Sequence, residues 1–161
     1  MLSLTRKTDY ALVALARLAS QKAAGGSALS ARCIADEYGL PRQLLMSLLK
    51  SLHRAGLVES TRGVRGGYDL ARPSHRISVA EVVEAIEGPA RLTPCCADEE
   101  PGEACTMCAI TEKCPITGAI RELNGQIADY LRNVSIDTLI KMEHGGKLPR
   151  LSRTMSLNVR R

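Results

Sequence analysis

The run from Ser30 to Pro73 leaves little freedom of fold, because glycine and proline divide it at short intervals. Ser30 can cap a helix that runs to about Tyr38 with Ile34 and Ala35 turned inward. Gly39 ends that helix and Pro41 starts the next. From about Pro41 to Ala55 the pattern is sharply two-faced. Leu44, Leu45, Leu48, Leu49 and Leu52 form an apolar stripe, and Arg42, Gln43, Met46, Ser47, Lys50 and Arg54 lie opposite. Gly56 closes this helix. Leu57-Val58 and Tyr68-Asp69-Leu70 then read as strands around a glycine-rich tip, Arg62 to Gly67. Two short helices joined by a tight glycine turn, followed at once by a basic hairpin, make a helix-turn-helix with a wing.

Such a unit reads duplex DNA through its second helix, where long polar side chains reach base edges. Arg42, Gln43, Ser47 and Lys50 are the candidates for the major groove, since Arg and Gln can pair with guanine and adenine edges. Arg62 and Arg65, at the tip, suit a minor groove or phosphates. A solvated helix face and a turn with incidental charge are the competing reading. The order of the elements favours DNA. His53, near the end of the same helix, suits a surface or phosphate contact.

The flanks are simpler. Residues 8–20 carry Ala11, Leu12, Leu15, Leu18 and Ala19 at helical spacing, and Gln21 to Ser27 reads as a loop. Ile77-Ser78 leads into a short helix, Val79 to Glu87, with Val79, Val82, Val83 and Ile86 inward and Gly88-Pro89 as its stop.

Next comes PCCADEEPGEACTMCAITEKCP, which holds five of the six cysteines: Cys95, Cys96, Cys105, Cys108 and Cys114. The segment is acidic and has no apolar reason to order itself. Thiolates gathered on a metal would supply one. Asp98, Glu99, Glu100 and Glu103 disfavour free thiolates, and a metal's charge offsets that repulsion. The spacing suits an iron–sulfur cluster, a four-thiolate zinc site from Cys105, Cys108, Cys114 and one of Cys95 or Cys96, or a metal-free thiol switch. Cys33, beside Ile34, is expected to be a buried small apolar residue.

Beyond the cysteines, Ile116, Ile120, Leu123, Ile127, Tyr130 and Val134 recur at heptad spacing. That predicts a long helix with a narrow seam, most simply paired with its copy in a second subunit. The tail after Lys141 is basic and aperiodic, and is expected to be disordered. The expected division is a DNA-binding head over 1–90, a cysteine-rich loop over 91–115, a dimerisation helix over 116–140 and a tail over 141–161.

Composition narrows the class. Apolar residues make up 45% of the chain while Phe and Trp are absent, which suits a mainly helical core of Leu, Ile, Val and Ala. A net charge of +5 suits a polyanionic partner. No apolar run reaches membrane-spanning length, and Asp9 and Arg17 interrupt any signal peptide at the start. The expected compartment is the cytoplasm, where clustered cysteines are more often ligands than disulfides. The chain carries no P-loop and no GxSxG, and no histidine lies near the cysteines, so an enzyme is not expected. A metal-binding scaffold acting on protein partners remains the alternative to a regulator.

LTRKTDYALVALARLA, then IADEYGLPRQLLMSLLKSLHRAGLVESTRGVRGGYDLARP, then ISVAEVVEAIEGP and the cysteines together resemble the Rrf2 family of winged-helix regulators, which includes the IscR, NsrR and RirA types. The RGxxGGYxLAR run is the most specific part. The resemblance covers about residues 1–140. It implies a mainly α fold, a winged helix-turn-helix with a long C-terminal dimerisation helix, acting as a homodimer on a pseudo-palindromic operator. It also implies an iron–sulfur cluster held by three cysteines, with Cys95, Cys108 and Cys114 at the family positions and Cys96 and Cys105 as extra thiols. Where the family uses histidine as fourth ligand, this chain has Thr117. The other family version uses an acidic residue near the amino terminus of the partner subunit, a place taken here by Asp9. That ligand set leans towards a 4Fe-4S over a 2Fe-2S cluster. Repressor and activator both fit.

Overall fold

The structure, a computed structural model, describes residues 4–63, 66–89, 91–93, 110, 113–143 and 145–149. Helix α1, Arg6–Ala23, runs through the middle of the head and packs on α3 (Arg42–Arg54), α4 (Val79–Glu87), α6 (Ile136–Glu143) and strand β2 (Gly67–Leu70). Its small residues allow this. Ala11 and Ala14 are fully buried beside Leu15 and Leu18, so neighbouring helices approach closely. The shared core adds Ile34 and Ala35 from α2 (Ala31–Tyr38), Leu45, Leu49 and Leu52 from α3, and Leu57, Val58, Leu70, Ile77, Val82 and Ile136.

The helix-turn-helix forms as its capping residues dictate. The Ser30 side chain accepts from the Cys33 N–H at the start of α2, and Gly39 ends that helix at φ 65°. Residues Ile34 and Ala35 face the core and Cys33 does not: its side chain is exposed, which corrects the buried position expected for it. The inward stripe of so short a helix passes through Ala31, Ile34 and Ala35, and Cys33 lies about 100° round from Ile34.

Strand β1, Val58–Thr61, pairs antiparallel with β2, Val58 opposite Leu70 and Thr61 opposite Gly67. The first strand is longer than its apolar residues suggest, because Glu59 to Thr61 are exposed and leave no hydrophobic signal. A further backbone joins the outer side of β2. Leu29 and Tyr68 exchange N–H···O bonds of 3.0 and 2.7 Å.

Helix α4 opens with a capping box between Ser78 and Glu81, and Glu81 also pairs with Arg72 at 2.7 Å. Burial works to raise the Glu81 pKa. The Ser78 N–H, Arg72 and the Ser78 hydroxyl outweigh it, and the carboxyl ends below its ordinary value.

The long helix expected after the cysteines is two helices. Helix α5 spans Thr117–Asn133, the chain turns at Val134 and Ser135, and α6 follows. The turn is fixed from both sides: the Val79 N–H donates to Val134 O at 2.8 Å and the Ile136 N–H to Ile77 O at 2.9 Å. Ser135 caps α6 by accepting from the Thr138 N–H. Val134, assigned to the seam, is instead 3% exposed against Val79 and Val83 of its own chain. Tyr130 of the seam also packs on that cluster, and Ile120 and Ile127 are partly buried, but no residue of α5 is fully buried, and Ile116 is 57% exposed and Leu123 46%.

Candidate nucleic-acid interface and cysteine segment

The burial of Leu45, Leu48, Leu49 and Leu52 fixes which side of α3 faces outward. Arg42, Gln43, Ser47 and Lys50 are all exposed there, with Met46 among them. The structure therefore brings the four candidate groove residues onto one open face. His53 is also exposed, but its Nδ1 lies 2.9 Å from the Val58 carbonyl oxygen, tying the end of α3 to the first strand of the wing. Arg62 is exposed at the wing tip, while Arg65 lies outside the described residues.

Arg42 is not free on this face. Its Nε donates to Asp36 Oδ1 at 2.9 Å, and its Nη2 lies 2.7 Å from the same oxygen. Arg32 approaches the other oxygen of Asp36 at 3.7 Å. Sequence reasoning missed Asp36, although an aspartate six residues before an arginine across a helix-turn-helix turn is visible in the sequence.

Of the five clustered cysteines only Cys114 is among the described residues; Cys95, Cys96, Cys105 and Cys108 lie outside them. Cys114 is half-buried just before α5. The Thr117 hydroxyl, then the Ile116 N–H, hold its thiol below the ordinary pKa; burial works the other way and the Thr117 N–H adds to the lowering. A thiol at a helix start with its pKa lowered suits a soft metal ion or a cluster. Among the described residues no group of three or more His, Cys, Asp or Glu side chains could hold a metal.

Both roots of the cysteine segment rest on one helix. On the near side the Leu92 N–H donates to Asn124 Oδ1 at 2.9 Å. On the far side the segment runs through Cys114 into Thr117, and Asn124 lies only about 10 Å further along the helix axis. Leu92 and Cys114 are thus both anchored within about two turns of α5. Asn124 carried no signal in the sequence, because its partner is 32 residues away.

Asp9 is exposed in the first turn of α1. That turn is held by Glu87, the last residue of α4. One Glu87 oxygen accepts from the Thr5 N–H and the Thr5 hydroxyl, both at 2.9 Å, and from the Thr8 hydroxyl. The Thr8 hydroxyl first, with the Thr5 donors and Lys7 behind it, holds the Glu87 carboxyl below its ordinary pKa against partial burial. The turn that presents Asp9 is therefore fixed to the last residue of α4.

A family model described as an iron-dependent transcriptional regulator, Rrf2, matches residues 4–142 of the chain. The chain belongs to the Rrf2 family. Protein aau3 of Rhizobium meliloti is 34% identical over 139 residues, covering 86% of this chain and 84% of its own. The HTH-type transcriptional regulator IscR of Cereibacter sphaeroides is 41% identical over 86 residues, 53% of this chain and 56% of its own. Among solved structures, CymR, the global cysteine regulator of B. subtilis, superposes with a TM-score of 0.67 at 24% identity, over 88% of this chain and 98% of its own. T. potens IscR gives 0.64 at 23%, over 92% and 93%. These two share the fold. Membership of Rrf2 makes the protein a DNA-binding transcriptional regulator and not an enzyme. No helix among the described residues is long and apolar enough to cross a membrane.

Proposed function

We propose that this Rrf2 protein is a homodimeric cytoplasmic regulator whose affinity for a pseudo-palindromic operator is set by an iron–sulfur cluster on the segment between α4 and α5. The observation that carries the reading is the seat of Cys114. Its half-buried thiol stands just before α5, the helix whose seam leaves Ile116 and Leu123 exposed. A metal centre on Cys114 therefore acts on the element expected to join the subunits.

Cys95, Cys108 and Cys114 are the proposed protein ligands, with Asp9 of the partner subunit as the fourth, and Cys96 and Cys105 as less favoured thiols. A ligand set of three thiolates and one carboxylate favours a 4Fe-4S cluster over a 2Fe-2S one. When bound, the cluster supplies a redox- and iron-sensitive tie between the cysteine segment and the partner's α1. The protein's own residues do the rest. Thr117 lowers the pKa of Cys114, Asn124 holds the root of the segment, and Glu87 fixes the turn that carries Asp9. On the DNA side Arg42, Gln43, Ser47 and Lys50 enter the major groove, and Arg62 and Arg65 of the wing contact the backbone or minor groove.

The test is purification without oxygen, followed by absorption spectroscopy, iron and sulfide counts, and operator binding before and after cluster removal. A coloured protein that loses its visible absorbance on Cys114→Ala, and whose operator affinity changes with the cluster, is the expected result. A colourless protein carrying zinc, or equal operator affinity with and without the cluster, overturns the reading.

A further inference from the structure

We propose that Asp36 is a positioning residue that prepares Arg42 to read guanine, and that it sets base selectivity more than affinity. The inference rests on the placement of α3 in the major groove. It starts from the geometry at the turn between α2 and α3. The Gly39 and Leu40 N–H groups both donate to Ala35 O, the latter at 2.8 Å, so the two helices meet at a fixed angle. Asp36 is in the last turn of α2 and Arg42 opens α3, and the contact between them crosses this fixed corner.

The edge of the guanidinium that Asp36 occupies decides what Arg42 can do. The planar group has a side edge, made by Nε and Nη2, and an end edge, made by Nη1 and Nη2. Asp36 Oδ1 takes the side edge, through Nε at 2.9 Å and Nη2 at 2.7 Å. The end edge remains, and it is a two-donor fork that matches the O6 and N7 acceptors of guanine. A flexible arginine would have to find that pose on binding. Here one face of the group is already held, so the fork is presented in advance. The carboxylate also offsets the arginine charge next to the DNA, which weakens contacts with phosphates, the sequence-blind alternative. Arg32 approaches the other Asp36 oxygen at 3.7 Å.

The pair does little for folding. Arg42 is 53% and Asp36 48% exposed, and ion pairs so open to solvent add almost nothing to stability. That separates a positioning role from a structural one in experiment. The full-length protein, isolated without oxygen, is offered a pool of randomised duplexes, and affinities are then measured by fluorescence anisotropy on the selected duplex and its single-base variants at one salt concentration. Wild type is expected to select guanine at one position per half-site. Arg42→Ala should lose that preference, and Asp36→Asn should lower guanine discrimination there by about tenfold, the scale of one paired contact, with other positions and the melting temperature little changed. Asp36→Glu should restore part of it. If Asp36→Asn leaves discrimination intact, or alters affinity equally on every duplex, the proposal is overturned. If wild type selects no sequence, or Arg42→Ala keeps the guanine preference, the placement of α3 in the groove falls with it.

Discussion

Gly67 has no room for a side chain. A Cβ there would lie 2.6 Å from the carbonyl carbon and oxygen of Leu29, the backbone that bridges to Tyr68. Gly67→Ala should therefore part the wing from residue 29 and cost about 1–3 kcal/mol, read as a lower urea midpoint at unchanged slope. The glycine itself is plain in the sequence, but its reason is not, since its partner Leu29 is 38 residues away, outside any strand the sequence marks. Glu87 poses the same problem more sharply. Its partners are 79 and 82 residues away, and nothing local marks it as the residue that holds the start of α1. Because its pKa is depressed in the folded state, its contribution is present above the ordinary glutamate value and is lost as pH falls through the folded one. Glu87→Gln should flatten the decline of melting temperature below about pH 4.3, where wild type continues to lose stability. Cys33 shows the reverse failure. Residue type suggested burial, and helical phase decided against it.

Elements with local punctuation were legible almost to their ends. Ser30 with Gly39 and Ser78 with Gly88 bound α2 and α4 where their capping chemistry predicts. The three-residue turn Ser74–Arg76 and the break between α5 and α6 were not. Heptad spacing carried on through Val134 because one apolar residue in phase cannot reveal which chain covers it. Ser135 and Asp137 do resemble a helix start, and that signal was available. The remaining seam gives a direct test of the proposed dimer. Leu123 is 46% exposed in the single chain, so Leu123→Glu should leave far-UV circular dichroism unchanged and shift the sedimenting species from dimer to monomer. A monomeric wild type at micromolar concentration would remove the role given to α5.

At the scale of the whole molecule the head is more than its winged helix. Helix α6 returns after α5 and packs on α1, so the C-terminal elements complete the core that the first 90 residues begin. The open α3 face and the wing tip lie on one continuous stretch of chain, stitched by His53 to Val58. Duplex affinity should fall steeply with salt, and Arg62→Ala should reduce it on most sequences while lowering the salt slope by about one. An unchanged slope would take the wing out of phosphate contact. Thiol density marks the cysteine segment in the sequence, and four of its five cysteines lie outside the described residues. Its mounting was not legible, because Asn124 and Glu87 act across the chain.

The two ends of α5 are held differently. At Asn133 the helix runs straight into the pair of backbone bonds that join Val134 and Ile136 to Val79 and Ile77, while its other end carries Cys114. Over a shaft of roughly 25 Å, a displacement of ~2 Å at the thiol end is a tilt of roughly 5°. A joint pinned on both sides of one turn has no slack to absorb it. In the proposed dimer such a tilt would reach the two reading heads as opposite rotations, and heads so turned would no longer match grooves spaced ~34 Å apart.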